Sequence, residues 1–120
     1  MGLHPIPCHR PDDQTKCTCH HQHQCVSIGK HPAMPWHGLQ KTGVTKNKLD
    51  AWFGEAGSFE DYNLGLITGS ISNNVFVLDV DLGEGKEGDE SLLNLELEHD
   101  DLPQTLQTIT GSGGRHYFFR

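Results

Sequence analysis

VFVLDVDLGEG, residues 75–85, decides the fold, because a run of strand-forming apolar residues here ends in two carboxylates spaced one residue apart. A strand points alternate side chains to opposite faces, so Asp79 and Asp81 share one face. The opposite face, from Phe76 to Leu82, stays apolar. We therefore predict a strand that packs on one face and presents two carboxylates at its end.

The segments before this strand predict a mixed domain of the α/β or α+β class. Thr45 is a suitable N-cap and Gly54 a suitable stop for a short helix. YNLGLITG, residues 62–69, has the composition of a strand that closes on a glycine turn. We expect this strand to lie beside the strand of residues 75–80 in one sheet.

The segments after it complete the domain. DESLLNLELEH, residues 89–99, predicts a helix whose leucines cover the sheet, namely Leu92, Leu93, Leu95 and Leu97. TLQTIT and RHYFFR, residues 105–110 and 115–120, predict strands joined by GSGG, and GEGKEGDE, residues 83–90, predicts a mobile charged turn. Because the last strand stops without a turn signal, we expect a core sheet with flanking helices that is truncated at its C-terminus.

Composition narrows the class of protein. A chain of 120 residues forms at most one domain. Residues 1–48 hold six Lys/Arg and two Asp/Glu, whereas residues 49–120 hold three and fourteen, and the net acidity argues against a simple electrostatic nucleic-acid binder. No apolar run approaches the roughly 20 residues that span a bilayer, and the start lacks a secretory signal, so we predict a cytoplasmic chain.

Residues 1–37 differ from residues 38–120, since they hold five of the six prolines and all four cysteines. They show no sustained periodicity, so we expect a loop that is held by something other than a hydrophobic core. In a reducing cytosol such cysteines indicate metal binding rather than disulfides. The thiolates of Cys17, Cys19 and Cys25 can converge on one structural Zn²⁺. The fourth ligand stays open between Cys8, His9 and His31. The alternative is a loop of free cysteines with a chance density of histidines.

The carboxylate pair and a glycine-rich turn are the candidate catalytic features. Asp79 and Asp81 lie about 6 to 7 Å apart by strand rise, an arrangement that suits Mg²⁺ or Mn²⁺ together with substrate phosphates. The turn before His116 permits positive φ angles and lets a phosphate approach backbone amides. Alone, the carboxylates indicate an exposed acidic loop and the histidine a structural role; together they favour a site.

Three stretches taken in order resemble the N-terminal domain of the bifunctional DNA primase/polymerase family. They are GKHPAMPWHGLQKTGVTKNKLDAWF, NLGLITGSISNNVFVLDVD and LPQTLQTITGSGGRHYFF. The resemblance implies that Asp79 and Asp81 bind the catalytic metal ions. It also implies nucleotide binding by Lys30 and by the motif residues Ser112, Gly113, Gly114 and His116. Cysteine-bearing relatives slightly favour His9 over Cys8 as the fourth zinc ligand.

The resemblance implies a fold and an activity for the two segments. Residues 1–37 would be a zinc-knuckle-like segment, and residues 38–120 the incomplete core of a primase/polymerase of a phage, plasmid or other mobile element. Such an enzyme adds nucleotides from nucleoside triphosphates on a DNA template with Mg²⁺ or Mn²⁺, beside a helicase domain or protein. The family's third catalytic acid follows the histidine motif, so we expect residues 1–120 alone to be inactive. The alternatives are a non-catalytic, zinc-stabilised nucleic-acid-binding or replication-assembly module and a metal-dependent nuclease.

Overall fold

The computed structural model describes residues 2–12 and 16–120, which form two units, one ending at Asn73 and one spanning Asn74–Arg120. The first unit contains β1 (His4–Cys8), β2 (Pro11–Asp12), β3 (Lys16–Cys17), α1 (Leu39–Thr42), α2 (Lys46–Phe53) and β4 (Asn63–Ile67), with 3-10 turns at Gln22–Gln24 and Ser70–Ser72. The second contains β5 (Phe76–Val80), β6 (Leu82–Gly83), β7 (Lys86–Glu87), α3 (Gly88–His99), β8 (Leu106–Ile109) and β9 (Arg115–Phe119). The predicted mixture of helices and strands is therefore confirmed.

β1 organises the first unit by pairing antiparallel with β4. The sequence indicated a loop here because β1 contains Pro5 and Pro7. The C=O of Pro7 accepts a hydrogen bond of 2.9 Å from the N–H of Ala33, which lies outside β4. Alternate residues of a strand direct their backbone groups to the same edge, so the nitrogens of Pro5 and Pro7 both face the edge away from β4. Their missing N–H groups therefore remove no hydrogen bond from the ladder between β1 and β4. The loop interpretation is therefore wrong for β1, while the division after residue 37 stays a prediction.

The expected pairing of the strands at residues 62–69 and 75–80 is wrong. β4 belongs to a sheet with β1, whereas β5 pairs with β9. Consecutive strands often pair, but here distant segments provide full ladders of five residue pairs to each strand.

The helix predicted between Thr45 and Gly54 is confirmed as α2. The Oγ1 of Thr45 accepts a hydrogen bond of 3.4 Å from the N–H of Lys48, and the N–H of Gly54 donates to the C=O of Asp50 at 2.9 Å.

The core of the first unit is a buried cluster of Ile6, Leu39, Val44 and Ile67. Among the described residues, no helix is both long and apolar enough to cross a membrane.

The second unit is a three-stranded antiparallel sheet in the order β5-β9-β8, with α3 packed on one face. The predicted helix and both predicted C-terminal strands are confirmed, but the leucines of α3 do not all cover the sheet. Leu93, Leu95 and Leu97 are 56%, 52% and 78% exposed. Residues of a helix are about 100° apart, so these positions and Leu92 cannot all face one sheet.

Candidate active site and candidate metal centre

Asp79 and His116 face each other across neighbouring strands of the second unit. The two residues are direct partners in the ladder between β5 and β9, and Thr108 of β8 is the partner of His116 on its other side. The His116 Nε2 lies 3.4 Å from the Asp79 Oδ1, and the two side chains are 37% and 56% exposed. Cross-strand partners share a face, so these three side chains form a polar row accessible to solvent.

The polar row lies on the face opposite α3. Val80 and Tyr117, whose side chains point to the other face, are buried, and with Leu92 of α3 they line a cavity of about 240 Å³. The helix therefore supports the sheet from behind, and its apolar contacts hold β5 and β9 without covering Asp79 or His116.

Asp81 follows β5 directly, and the loop after it is folded rather than open. β6 and β7 form a hairpin in which Gly83 is the partner of Lys86. The Lys86 Nζ lies 2.8 Å from the Asp81 Oδ2. The N–H of Gly88, the first residue of α3, donates to the C=O of Asp81 at 3.1 Å. The backbone of Asp81 is thus fixed between the end of β5 and the start of α3.

The glycine-rich turn between β8 and β9 lies against the end of β5. The N–H of Gly113 donates to the C=O of Thr110 at 2.9 Å, and the N–H of Thr110 donates to the C=O of Gly114 at 2.8 Å. Gly113 has a φ of +86°, and a Cβ on Gly114 would lie 2.7 Å from the carbonyl oxygen of Val80. The two glycines have different roles. Gly113 allows the backbone conformation of the turn, and Gly114 allows the turn to approach β5 closely.

The second unit therefore brings together most of the residues that the sequence singled out for catalysis. Asp79 and Asp81 lie at the end of β5, and the neighbouring turn and β9 carry Ser112, Gly113, Gly114 and His116. The Ser112 Oγ lies 3.2 Å from the Thr110 Oγ1. Lys30 is exposed and belongs to the first unit, and its predicted phosphate contact stays a prediction, as do the catalytic roles of the others.

The first unit contains a cluster that can hold a metal ion. The ligand atoms of Cys17, Cys19, Cys25 and His31 all lie within 4.8 Å of one another. The His31 Nε2 lies 3.5 Å from the sulfur atoms of both Cys17 and Cys25. Three sulfurs and one imidazole form a set of four donors of the kind that structural Zn²⁺ prefers.

Of the three candidates left open for the fourth ligand, His31 is the one that lies with the three sulfurs, whereas His9, which the resemblance favoured over Cys8, lies outside this group. The Nδ1 of His9 is hydrogen-bonded to the Thr18 Oγ1 at 3.0 Å, and its ring packs against that of His31 with centroids 4.6 Å apart. Cys8 is also outside the cluster, since its sulfur lies against Gly65 of β4. His9 therefore acts on the cluster by packing against a ligand.

Short backbone ladders position two of the four ligands, Cys17 and His31. The N–H of His9 donates to the C=O of His31 at 2.8 Å, and the N–H of Thr18 donates to the C=O of Arg10 at 2.9 Å. β2 and β3 add the pair between Pro11 and Cys17. Backbone hydrogen bonds thus join segments that are distant in sequence and carry members of the cluster.

Hydrogen bonds also prepare one sulfur for metal binding. Burial by itself raises the pKa of Cys17, but the backbone N–H groups of Gly29 and Cys19 and the side chains of Cys19 and His31 outweigh burial and lower it to about 6. For Cys25, the backbone N–H of Ser27 lowers the pKa, whereas burial and the sulfurs of Cys17 and Cys19 raise it more. Metals bind the thiolate form, so the lowered pKa of Cys17 favours metal binding at neutral pH.

Sequence reasoning missed two residues beside the candidate active site. The register of β8 and β9 places Thr108 next to His116. Counting residue pairs outward from the turn of the predicted hairpin could have revealed this neighbour. Lys86 was assigned to a charged turn, and its contact with Asp81 depends on the hairpin between β6 and β7. The spacing of glycines around Lys86 is the only sequence signal for that hairpin.

Comparison with known proteins adds one positive result. The family described as "Bifunctional DNA primase/polymerase, N-terminal" matches residues 2–120, a range that includes both the Cys3His cluster and the Asp79–His116 pair. No curated protein matches the chain, and no solved structure matches it. The chain belongs to the family of bifunctional DNA primase/polymerase N-terminal domains.

Proposed function

We propose that this chain carries the nucleotide-binding face of a template-dependent nucleotidyltransferase, a DNA primase/polymerase. In the reaction, the oxygen of a 3′-hydroxyl forms a bond to the α-phosphorus of a nucleoside triphosphate. The bond from that phosphorus to the bridging oxygen breaks, pyrophosphate leaves and the hydroxyl proton passes to solvent or a base. The observation that supports this proposal is the placement of Asp79, Asp81, the glycine-rich turn and His116 at one end of one sheet in a member of this family.

Each residue of this face has a role that its chemistry suits. His116 lies beside a carboxylate that orients its ring, and it contacts the triphosphate as a hydrogen-bond donor. The turn of Ser112, Gly113 and Gly114 offers a hydroxyl group and a backbone that a phosphate can approach closely. The family resemblance also suggests a phosphate-neutralising role for Lys30, which belongs to the first unit and not to this face.

Asp79 and Asp81 hold the divalent ions in this proposal. Their side chains are 56% and 55% exposed, and carboxylate oxygens are the donors that Mg²⁺ and Mn²⁺ prefer. Bound there, such ions would offset the charge of the triphosphate and stabilise the leaving oxygen.

The Cys3His cluster holds Zn²⁺ in a structural role. A closed set of four protein ligands leaves no position for substrate. The cluster joins β3, the 3-10 turn that follows it and the segment at His31, and these short elements contribute only a few residues to the apolar core. Zinc would therefore stabilise the part of the unit that has little hydrophobic support.

The test is the binding of a nucleoside triphosphate to the zinc-loaded chain, measured by calorimetry with and without Mn²⁺. Asp79→Ala should weaken Mn²⁺-dependent binding by at least the roughly 10-fold loss that follows removal of even an outer partner of a metal ligand. Asp101→Ala removes the same charge from an exposed position of the same unit and should bind as the unmodified chain does. Equal binding by all three proteins would contradict the proposal.

The Cys3His cluster also suits a second candidate, a zinc-stabilised nucleic-acid-binding or replication-assembly module without catalysis. This module would bind DNA equally well with and without Asp79. Incubation with labelled DNA separates a third possibility, since a nuclease needs no triphosphate. The inactivity of residues 1–120 alone, a helicase partner and a phage or plasmid origin stay predictions from the sequence.

A further inference from the structure

Lys86 forms an ion pair with one of the two carboxylates assigned to metal binding. Its Nζ lies 2.8 Å from the Asp81 Oδ2, and the two side chains are 49% and 55% exposed. Asp79, by contrast, has the ring of His116 as its neighbour, at 3.4 Å. The two carboxylates of the pair therefore differ: the one within β5 faces an imidazole, and the one after β5 faces an ammonium group.

The fold holds Lys86 at this position. The hairpin places Lys86 opposite Gly83, and Glu87 opposite Leu82. Gly88 then donates its N–H to the C=O of Asp81, and a Cβ on Gly88 would collide with that same oxygen. Lys86 lies only five residues after Asp81 in sequence. The hairpin and the bond from Gly88 fold the chain back, so that Lys86 lies beside Asp81.

A divalent cation can readily replace the ammonium group of Lys86 in an ion pair of this kind. A half-exposed pair contributes little to stability because water screens it. The ammonium group is nevertheless a local positive charge at a carboxylate that a divalent cation would have to approach, and like charges compete for the same oxygen atoms. A phosphate brought to the two carboxylates would offer the freed ammonium group a new partner.

We propose that Lys86 is a built-in counter-ion of Asp81 that lowers the affinity for a divalent cation alone and contacts the triphosphate once that cation is bound. This inference rests on the proposed function, because it takes Asp79 and Asp81 as the metal ligands. Lys86, which lies outside the sequence motifs, would thus favour binding of the cation together with the triphosphate over binding of the cation alone.

The two parts of this role give opposite effects on removal of the charge. Lys86→Met keeps an unbranched side chain about as long as the apolar stem of lysine and deletes the ammonium group. Binding of Mn²⁺ alone should become about two- to fivefold tighter, the range to which the strength of an exposed ion pair corresponds. Binding of the triphosphate in saturating Mn²⁺ should become weaker by a similar factor. A folding defect would weaken both affinities, and a general change of net charge would act in the same way in a variant that loses a lysine elsewhere.

The experiment uses the zinc-loaded chain, with Mn²⁺ binding followed by the loss of the free-ion electron paramagnetic resonance signal and triphosphate binding followed by calorimetry. Lys46→Met is the matched control, because Lys46 forms an exposed ion pair with Asp50 at 2.6 Å on α2 of the other unit. Lys86→Arg keeps the charge. Both should retain the affinities of the unmodified chain.

Tighter Mn²⁺ binding and weaker triphosphate binding in Lys86→Met alone would support the proposal. It is overturned if Lys86→Met binds Mn²⁺ no more tightly, if its triphosphate binding is not weaker than that of Lys46→Met, or if Lys86→Arg behaves like Lys86→Met. Asp79→Ala separates this failure from that of the proposed function. If Asp79→Ala leaves both affinities unchanged, the metal assignment itself is wrong and the role of Lys86 falls with it.

Discussion

Replacing Gly114 by alanine should separate the glycine-rich turn from the end of β5. A Cβ at this position would lie 2.7 Å from the carbonyl oxygen of Val80 and 3.1 Å from the Thr110 Oγ1. The first distance is shorter than carbon and oxygen tolerate, and the oxygen belongs to the backbone, so the turn must move. Overpacking of this kind typically costs about 1–3 kcal/mol.

Amide hydrogen exchange of β9 is the appropriate assay, because it reports the stability of the second unit by itself. A loss of about 1–3 kcal/mol corresponds to roughly 5- to 150-fold faster exchange at protected amides such as that of Tyr117. Because His116 follows two residues after Gly114, we also expect weaker Mn²⁺-dependent triphosphate binding.

Two glycines of the same turn provide controls. A Cβ on Gly111 would meet nothing within 4 Å, so Gly111→Ala should leave exchange in β9 unchanged or slightly slower. Gly113 also faces open space but has a φ of +86°, so Gly113→Ala should cost about 1–2 kcal/mol through backbone strain alone. If Gly114→Ala exchanges no faster than Gly111→Ala, the close packing of the turn on β5 is wrong.

Three further predictions concern the first unit. Apparent zinc affinity, measured by competition with a chromophoric chelator, should fall more steeply below pH 6, because lowering the pH protonates the Cys17 thiolate, whose pKa is about 6; a constant slope through that pH would contradict the ionised ligand. His31→Ala should lose zinc at chelator concentrations that the unmodified chain withstands, whereas His9→Ala should lose only about 10- to 100-fold in affinity, because His9 packs against a ligand without being one; equal losses would refute the choice of His31. Thr45→Ala should lower the free energy of unfolding by about 1 kcal/mol, measured by urea denaturation followed by tryptophan fluorescence, because it removes the acceptor for the N–H of Lys48; an unchanged midpoint would show that the cap is not used.

Local signals predicted most of the helices and strands of the two units. The cap at Thr45 and the stop at Gly54 defined α2, and alternation with two carboxylates defined β5. Each of these features depends on neighbouring residues of one segment, which is why the sequence was sufficient. β1 was missed because Pro5 and Pro7 oppose strand formation unless their missing donors face away from a partner, and that condition involves β4.

The chemistry of the donors was also readable from the sequence, whereas the choice among equivalent donors was not. Three cysteines indicated zinc, but Cys8, His9 and His31 were all acceptable as the fourth ligand. The choice of His31 follows from the backbone bond between His9 and His31 and from the contact of His9 with Thr18. Likewise, the carboxylates of the strand were predicted, while the ammonium group of Lys86 beside Asp81 was not.

The sequence by itself determined which residue types are present, where most helices and strands begin and end, and which family the chain resembles, because propensity, capping and alternation act within a few residues. Tertiary structure alone decided that β4 pairs with β1 and β5 with β9, that Asp79 lies opposite His116, and that His31 completes the cysteine cluster. These are pairings between distant segments, and their free energy depends on register and shared hydrogen bonds that no single segment contains.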